Sequence, residues 1–341
     1  MKKIIIPFLL LFVSTFVSCL DIGGELPPPP ISSAVVVFPF DNDNAQLTQQ
    51  QEDMVNALIK NRIALYFVRT IDGDGAKQAT EINNLIATGA VPPFMIIMTA
   101  DAYSVDVSAA LKKYKSMGGK ILAYDRLPQN STDIDGFISA SYQKIGNLQS
   151  QALDGLADGS RVEILSGPQY DNNAKTLFDG AYESIGKKIS QGKLLCPSGK
   201  STYEDTKVKS WGKEDAFVAM RDILKAHYKS PEMPAAVLAG SDAQAAGVVL
   251  ALQEHYPQIA KYPIITGMNN TEKALARLVL GTQTMTVDCG TSESVSESVK
   301  VILAWATKQS YDFPSTVITP VATVPYKNIA SIKAIYKKDL K

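Results

Sequence analysis

From residue 34 onward, short apolar runs rich in β-branched residues alternate with longer stretches whose apolar side chains recur at helical spacing. Few architectures accommodate that rhythm. Residues 34–38 are too few for a helix and apolar throughout, the pattern of a strand covered on both faces. Residues 47–60 then set Met54, Val55, Leu58 and Ile59 along one helical face. The pair recurs as strand 63–68 with helix 76–87. It recurs again as strand 94–98 with helix 105–117, closed by Gly118-Gly119 ahead of strand 120–124. A second series begins near Ile138, with helices at 141–156, 174–188, 215–227, 243–254 and 271–280. Its strands fall at 161–165, 235–239 and 263–266. Two βα series of similar size predict an α/β fold of two doubly wound parallel-sheet lobes. The expected limits are 34–138 plus 288–312 for the first lobe and 139–287 plus 313–341 for the second. Crossovers near 135–141, 284–288 and 312–320 join them as a hinge.

In open parallel sheets ligands sit beyond the carboxyl ends of the strands, so the residues following each strand are the candidates for function. Strand 120–124 leads into Asp125-Arg126, and strand 161–165 into Ser166-Gly167-Pro168-Gln169-Tyr170-Asp171-Asn172-Asn173. Gly240-Ser241-Asp242 and Gly267-Met268-Asn269-Asn270 follow two later strands, and Phe40 and Asp41 follow the first. Facing lobes bring these groups to one cleft. Two roles stay open for several of them. Arg126 either meets a ligand or makes an inter-lobe salt bridge. Asp171, Asn173 and Asp242 each stand beside a helix start, where an Asx side chain also serves as a cap. Trp211 and Trp305 suit core packing.

Three longer runs carry more: Ile121-Leu122-Ala123-Tyr124-Asp125-Arg126, then Gly167-Pro168-Gln169-Tyr170-Asp171-Asn172-Asn173-Ala174-Lys175, then Gly281-Thr282-Gln283-Thr284-Met285-Thr286-Val287. Together and in this order they resemble the type I periplasmic sugar-binding proteins, within them the xylose-binding and multiple-sugar-binding branch. The resemblance spans nearly all of the chain after residue 33. It implies the two-lobed type I periplasmic-binding-protein fold, with Arg126 gripping sugar hydroxyls and Asp125 beside it. It further implies that Asp171, Asn173 and Asp242 bind hydroxyls. Such groups suit a polyol, because carboxylates accept, a guanidinium donates in a planar fork, and an amide does both.

Departures from the family pattern fall on expected contacts. The first-strand loop Pro39-Phe40-Asp41-Asn42-Asp43-Asn44 lacks the basic residue and the Trp usual there. No stacking Trp stands near Thr206 and Lys207. Asp215 replaces an Asn, Gly267-Met268-Asn269 replaces a glycine-glutamine-aspartate run, and Cys289 replaces a Lys. A hydroxyl left unpaired by such a loss costs about 1–3 kcal/mol. The expected ligand is therefore a small polar solute, foremost a simple sugar, but not the family's standard pentose. Phe38, Phe40 and Tyr170 offer faces to a ring, so a nucleoside or a ribityl-bearing vitamin is the alternative. A sensor feeding a receptor is a third reading.

Lys2-Lys3, the apolar residues 4–17 and Ser18 read as a secretory signal, shorter than the roughly 20 apolar residues of a membrane span. Phe16-Val17-Ser18-Cys19 resembles a bacterial lipobox with Cys19 as the lipidation site; an ordinary signal peptide is the other reading. Residues 19–33, with prolines at 27–30, then form an extended tether to a membrane in the periplasm or cell envelope. Lys plus Arg and Asp plus Glu balance at 34 each, so no strong field steers nucleic acid. Cys196, Cys289, His227 and His255 lack metal-ligand spacing. No phosphate-cradling glycine loop or nucleophile elbow occurs. The expectation is a monomeric binding protein, not an enzyme, without metal or cofactor, whose partners are a small-molecule ligand and an ABC permease. Cys196 and Cys289 either pair as a disulfide or stay free.

Overall fold

The computed structural model describes residues 28–41, 45–311, 317–319 and 322–325; the signal segment, Cys19 and the tether up to residue 27 lie outside the described residues. The chain starts with β1 (Ser32–Phe40), α1 (Ala45–Lys60), β2 (Ile63–Ile71), α2 (Gly75–Ala87), β3 (Phe94–Ile97), α3 (Val105–Ser116), β4 (Lys120–Tyr124) and β5 (Gly136–Ala140). It then builds α4 (Tyr142–Gln151), β6 (Ser160–Leu165), α5 (Asn172–Ser190), β7 (Leu194–Leu195), α6 (Tyr203–Thr206) and α7 (Lys213–His227). Next come β8 (Ala236–Ala239), α8 (Asp242–His255), β9 (Ile264–Ile265), α9 (Glu272–Leu280) and β10 (Met285–Asp288), and last α10 (Thr291–Ala306), β11 (Val317–Thr319) and β12 (Ala322–Pro325).

The first lobe's sheet runs β11-β5-β4-β3-β1-β2, all parallel, and the second lobe's runs β7-β6-β8-β9, also parallel. Strand β1 explains the layering. Its side chains alternate between faces, and every residue from Ala34 to Phe38 is fully buried. Val36 and Phe38 pack with Met54 and Leu58 of α1 and with Val299, Ile302 and Trp305 of α10. Val35 and Val37 pack on the other side with Ile82 of α2 and Leu111 and Tyr114 of α3. Strand β8 repeats this in the second lobe, Val237 and Ala239 facing α7 and α8 while Ala236 and Leu238 face α5. Each lobe is a helix–sheet–helix sandwich, the two-lobed type I fold.

The chain passes between lobes three times: after β5, between β10 and α10, and between β11 and β12. Strand β11 extends the first sheet with Ile318 beside Ser139, whereas β12 pairs antiparallel with β10. Strand β11 therefore belongs to the first lobe, not to the second-lobe segment expected from 313 onward. Three residues carry too little pattern to declare a sheet; their place is set by the free edge of β5.

Candidate ligand site

The carboxyl ends of β2, β4 and β6 meet across the lobes at Arg126, whose side chain is 2% exposed. Nη1 and Nη2 donate to the two oxygens of Asp72, which follows β2. Nε lies 2.8 Å from Asp171 Oδ2, an ion pair across the seam that is not aligned as a hydrogen bond. Asp72 also accepts from the Tyr170 hydroxyl at 2.8 Å, and the Tyr170 ring lies 5.6 Å from the guanidinium carbon. Asp171 accepts from Trp211 Nε1 at 2.8 Å and from the Asn173 amide at 2.9 Å, the latter capping α5. Two further bonds cross the seam. Asn173 Nδ2 donates to the Asp125 carbonyl, and the Ala102 amide to the Tyr170 carbonyl, each at 2.9 Å. Burial works against the charge on Arg126, but Asp171 and Asp72 outweigh it and hold its pKa well above the ordinary value. Of the two roles open to Arg126, the salt bridge is the one formed in these closed lobes.

Asp125 adopts φ +62°, a left-handed conformation that Asp tolerates better than most residues. The bend sends neighbouring side chains apart: Arg126 toward Asp72 and Asp171, Asp125 into a cavity. That cavity is lined by Gln50, Tyr142, Asn269, Cys289, Thr291 and Ser294 among others. Tyr142 donates its hydroxyl to Asp125 Oδ1 at 2.8 Å. Burial first, then the Asp171 charge, push the Asp125 carboxyl up to about 6, while Arg126 and Tyr142 pull it down. Asn269 and Asn270 both have positive φ, at +100° and +51°, and strain of this kind gathers at binding sites. The Asn269 amide donates to the Val287 carbonyl at 2.9 Å, and Asn270 Nδ2 to Asp288 Oδ2 at 3.1 Å, which hold the turn. Cys289 Sγ lies 3.6 Å from Asn269 Oδ1. The enclosed space is about 10 Å³, room for at most about one water.

Several expected ligand contacts are placed elsewhere. Asp242 is buried and serves its own lobe, Oδ2 accepting from the Thr271 amide and hydroxyl and Oδ1 from Gln283 Nε2. Burial raises its pKa, and those same bonds oppose the rise. Asp215 accepts from the Ser210 hydroxyl in the first turn of α7. Phe40 lies beneath the Arg69 guanidinium at 5.2 Å. None of these three, nor Asp41, lines the cavity. A strand end brings a residue to the right edge of the sheet, but local caps and turns then claim its side chain. Sequence reasoning missed Asp72, Tyr142 and Gln50. Asp72 was within reach, since it directly follows β2, but the strand was read as ending at Val68. Tyr142 and Gln50 sit on helices and carry no motif. Cys196 and Cys289 are thiols, not joined in a disulfide. Among the described residues no three His, Cys, Asp or Glu side chains are grouped to hold a metal.

Two parallel lobes, three crossings and a seam of interlocked polar strand ends define a two-lobed solute-binding protein. The model of the periplasmic binding protein domain matches residues 35–310, and the chain belongs to that family, whose members bind solutes and are not enzymes. It is 31% identical over 249 residues to the D-xylose-binding periplasmic protein of Escherichia coli, covering 72% of this chain and 70% of that one. To the multiple sugar-binding periplasmic receptor ChvE of Rhizobium radiobacter it is 27% identical over 291 residues, covering 79% and 81%. Its fold is shared with an ABC transporter solute-binding protein from Clostridium phytofermentans solved with bound β-D-glucose. The TM-score there is 0.79 at 22% identity, over 91% of this chain and 98% of that one.

Proposed function

We propose that this chain is the receptor of an ABC importer, exported and held to a membrane by lipid on Cys19, and that it takes a simple sugar between its lobes. The observation that carries the reading is the convergence of strand-end groups on one seam: Asp72, Asp125, Arg126, Asp171, Asn173 and Asn269. All are hydroxyl donors or acceptors. The relatives named for xylose and for multiple sugars weigh for a sugar over a nucleoside, a vitamin or a sensory role.

In this account opening separates Arg126 from Asp171, Tyr170 from Asp72, and Tyr142 and Asn173 from Asp125. Arg126 keeps its fork on Asp72, so the first lobe presents an ordered guanidinium edge and the Asp125 carboxylate. Sugar hydroxyls then take the places of the lost partners, and closure excludes water, which strengthens each bond. The closed pair of lobes offers the permease a surface that the open form lacks. The test is native mass spectrometry of protein purified without added ligand, with thermal-shift screening of simple sugars. Retention of a single sugar and its stabilisation of the protein are expected. A retained ultraviolet-absorbing compound, or sugar stabilisation untouched in Asp125→Ala, contradicts the reading. Cys19→Ala is expected to move the protein from the membrane fraction to the soluble one.

A further inference from the structure

We propose that the ligand carries a protonated amine on its polyol frame, an amino sugar or aminopolyol, with the ammonium seated between Asp125 and Gln50. This rests on the sugar reading above and narrows it.

The cavity's polar balance points this way. No Lys, Arg or His lines it among the described residues, because the one nearby guanidinium, Arg126, is turned away onto Asp72 and Asp171. Asp125 has the Tyr142 hydroxyl as its side-chain donor, on Oδ1. Gln50, 8% exposed, faces the same cavity with Oε1 buried and without a hydrogen-bond partner. A buried acceptor without a donor costs free energy, and it persists where a ligand supplies the donor. A carboxylate and an orphaned carbonyl oxygen on one small cavity suit a group with several N–H donors and a positive charge. An ammonium has three such donors and no acceptor. A neutral hydroxyl brings one donor and places its lone pairs against acceptors.

The approach to the cavity has the same sign. A groove sharing Asn269 and Thr291 with the cavity is lined by Asp53, Glu272, Asp288 and Glu293, again without a basic side chain among the described residues. The starts of α9 and α10 border it. Each contributes about +0.5 of a charge, which offsets roughly one of the four carboxylates. The remainder draws cations inward and repels sugar acids and sugar phosphates.

The test is isothermal titration calorimetry at neutral pH with matched pairs: glucosamine against glucose, galactosamine against galactose, and mannosamine against mannose, with glucuronate as the anionic member. At least one amine is expected to bind tenfold or more tightly than its parent sugar, with glucuronate weakest. Asp125→Asn keeps a side chain suited to the left-handed backbone and is expected to weaken both members of a pair, the amine far more, so that the preference shrinks to about twofold. Gln50→Leu, at a helical position, is expected to weaken the amine more than the parent. Parent sugars binding as well as or better than every amine overturns the proposal and leaves the sugar reading standing. Binding of no member of any pair overturns both.

Discussion

At Arg126, carboxylates from two lobes meet one buried guanidinium. Removing one partner of a buried pair strands the others, at a cost of about 3–5 kcal/mol. Arg126→Met is expected to lower stability by that order in urea denaturation followed by circular dichroism, and Arg126→Lys to recover only part, since an ammonium lacks the fork that spans Asp72. Asp125 makes stability depend on pH. Its folded value, about 6, stands above the ordinary 3.8, so the folded state holds the extra proton between those values. Its stabilising contribution is full below about pH 4 and is lost as pH rises through 6, with a slope of at most about 1.4 kcal/mol per pH unit. Asp125→Asn is expected to flatten that part of the stability profile. Arg126, Asp171 and Asn173 were legible because they follow strands in recognisable runs. Asp72 follows a strand too, but β2 runs three residues beyond the apolar pattern that marks it, and its pairing with Arg126, 54 positions away, exists only in the folded chain.

At the scale of elements, the spacing of apolar residues located most strands and helices to within a residue or two, β4 without error. Elements formed by pairing rather than by pattern escaped it: β5 was read as hinge, and β7 has two residues. The packing of α4 on α5 was equally hidden. A methyl group on Gly180 would stand 2.2 Å from the Gln143 carbonyl oxygen, and one on Gly146 2.1 Å from that of Leu177, so the helices touch backbone to backbone. Gly180→Ala is expected to cost about 1–3 kcal/mol through overpacking, read as a lower melting temperature. Gly155→Ala, whose added methyl meets open space, is the neutral control.

At the scale of the whole molecule the seam is the decisive feature, because its bonds join one lobe to the other. Tyr170→Phe removes the hydroxyl that ties the second lobe to Asp72. The ligand-free variant is expected to show a larger radius of gyration than wild type in small-angle X-ray scattering, and an unchanged radius would mean that this bond does not hold the closed form. The two-lobed plan was legible because each lobe repeats one βα rhythm; the closure was not, since it depends on side chains meeting between lobes. Calorimetric titration of simple and amino sugars into ligand-stripped wild type, Asp125→Ala and the exposed-face control Asp222→Asn tests the central claim most directly. Saturable one-to-one binding by wild type and the control, weakened at least tenfold in Asp125→Ala, is the predicted result. Equal affinity in all three proteins, or no sugar bound by wild type, would contradict the account.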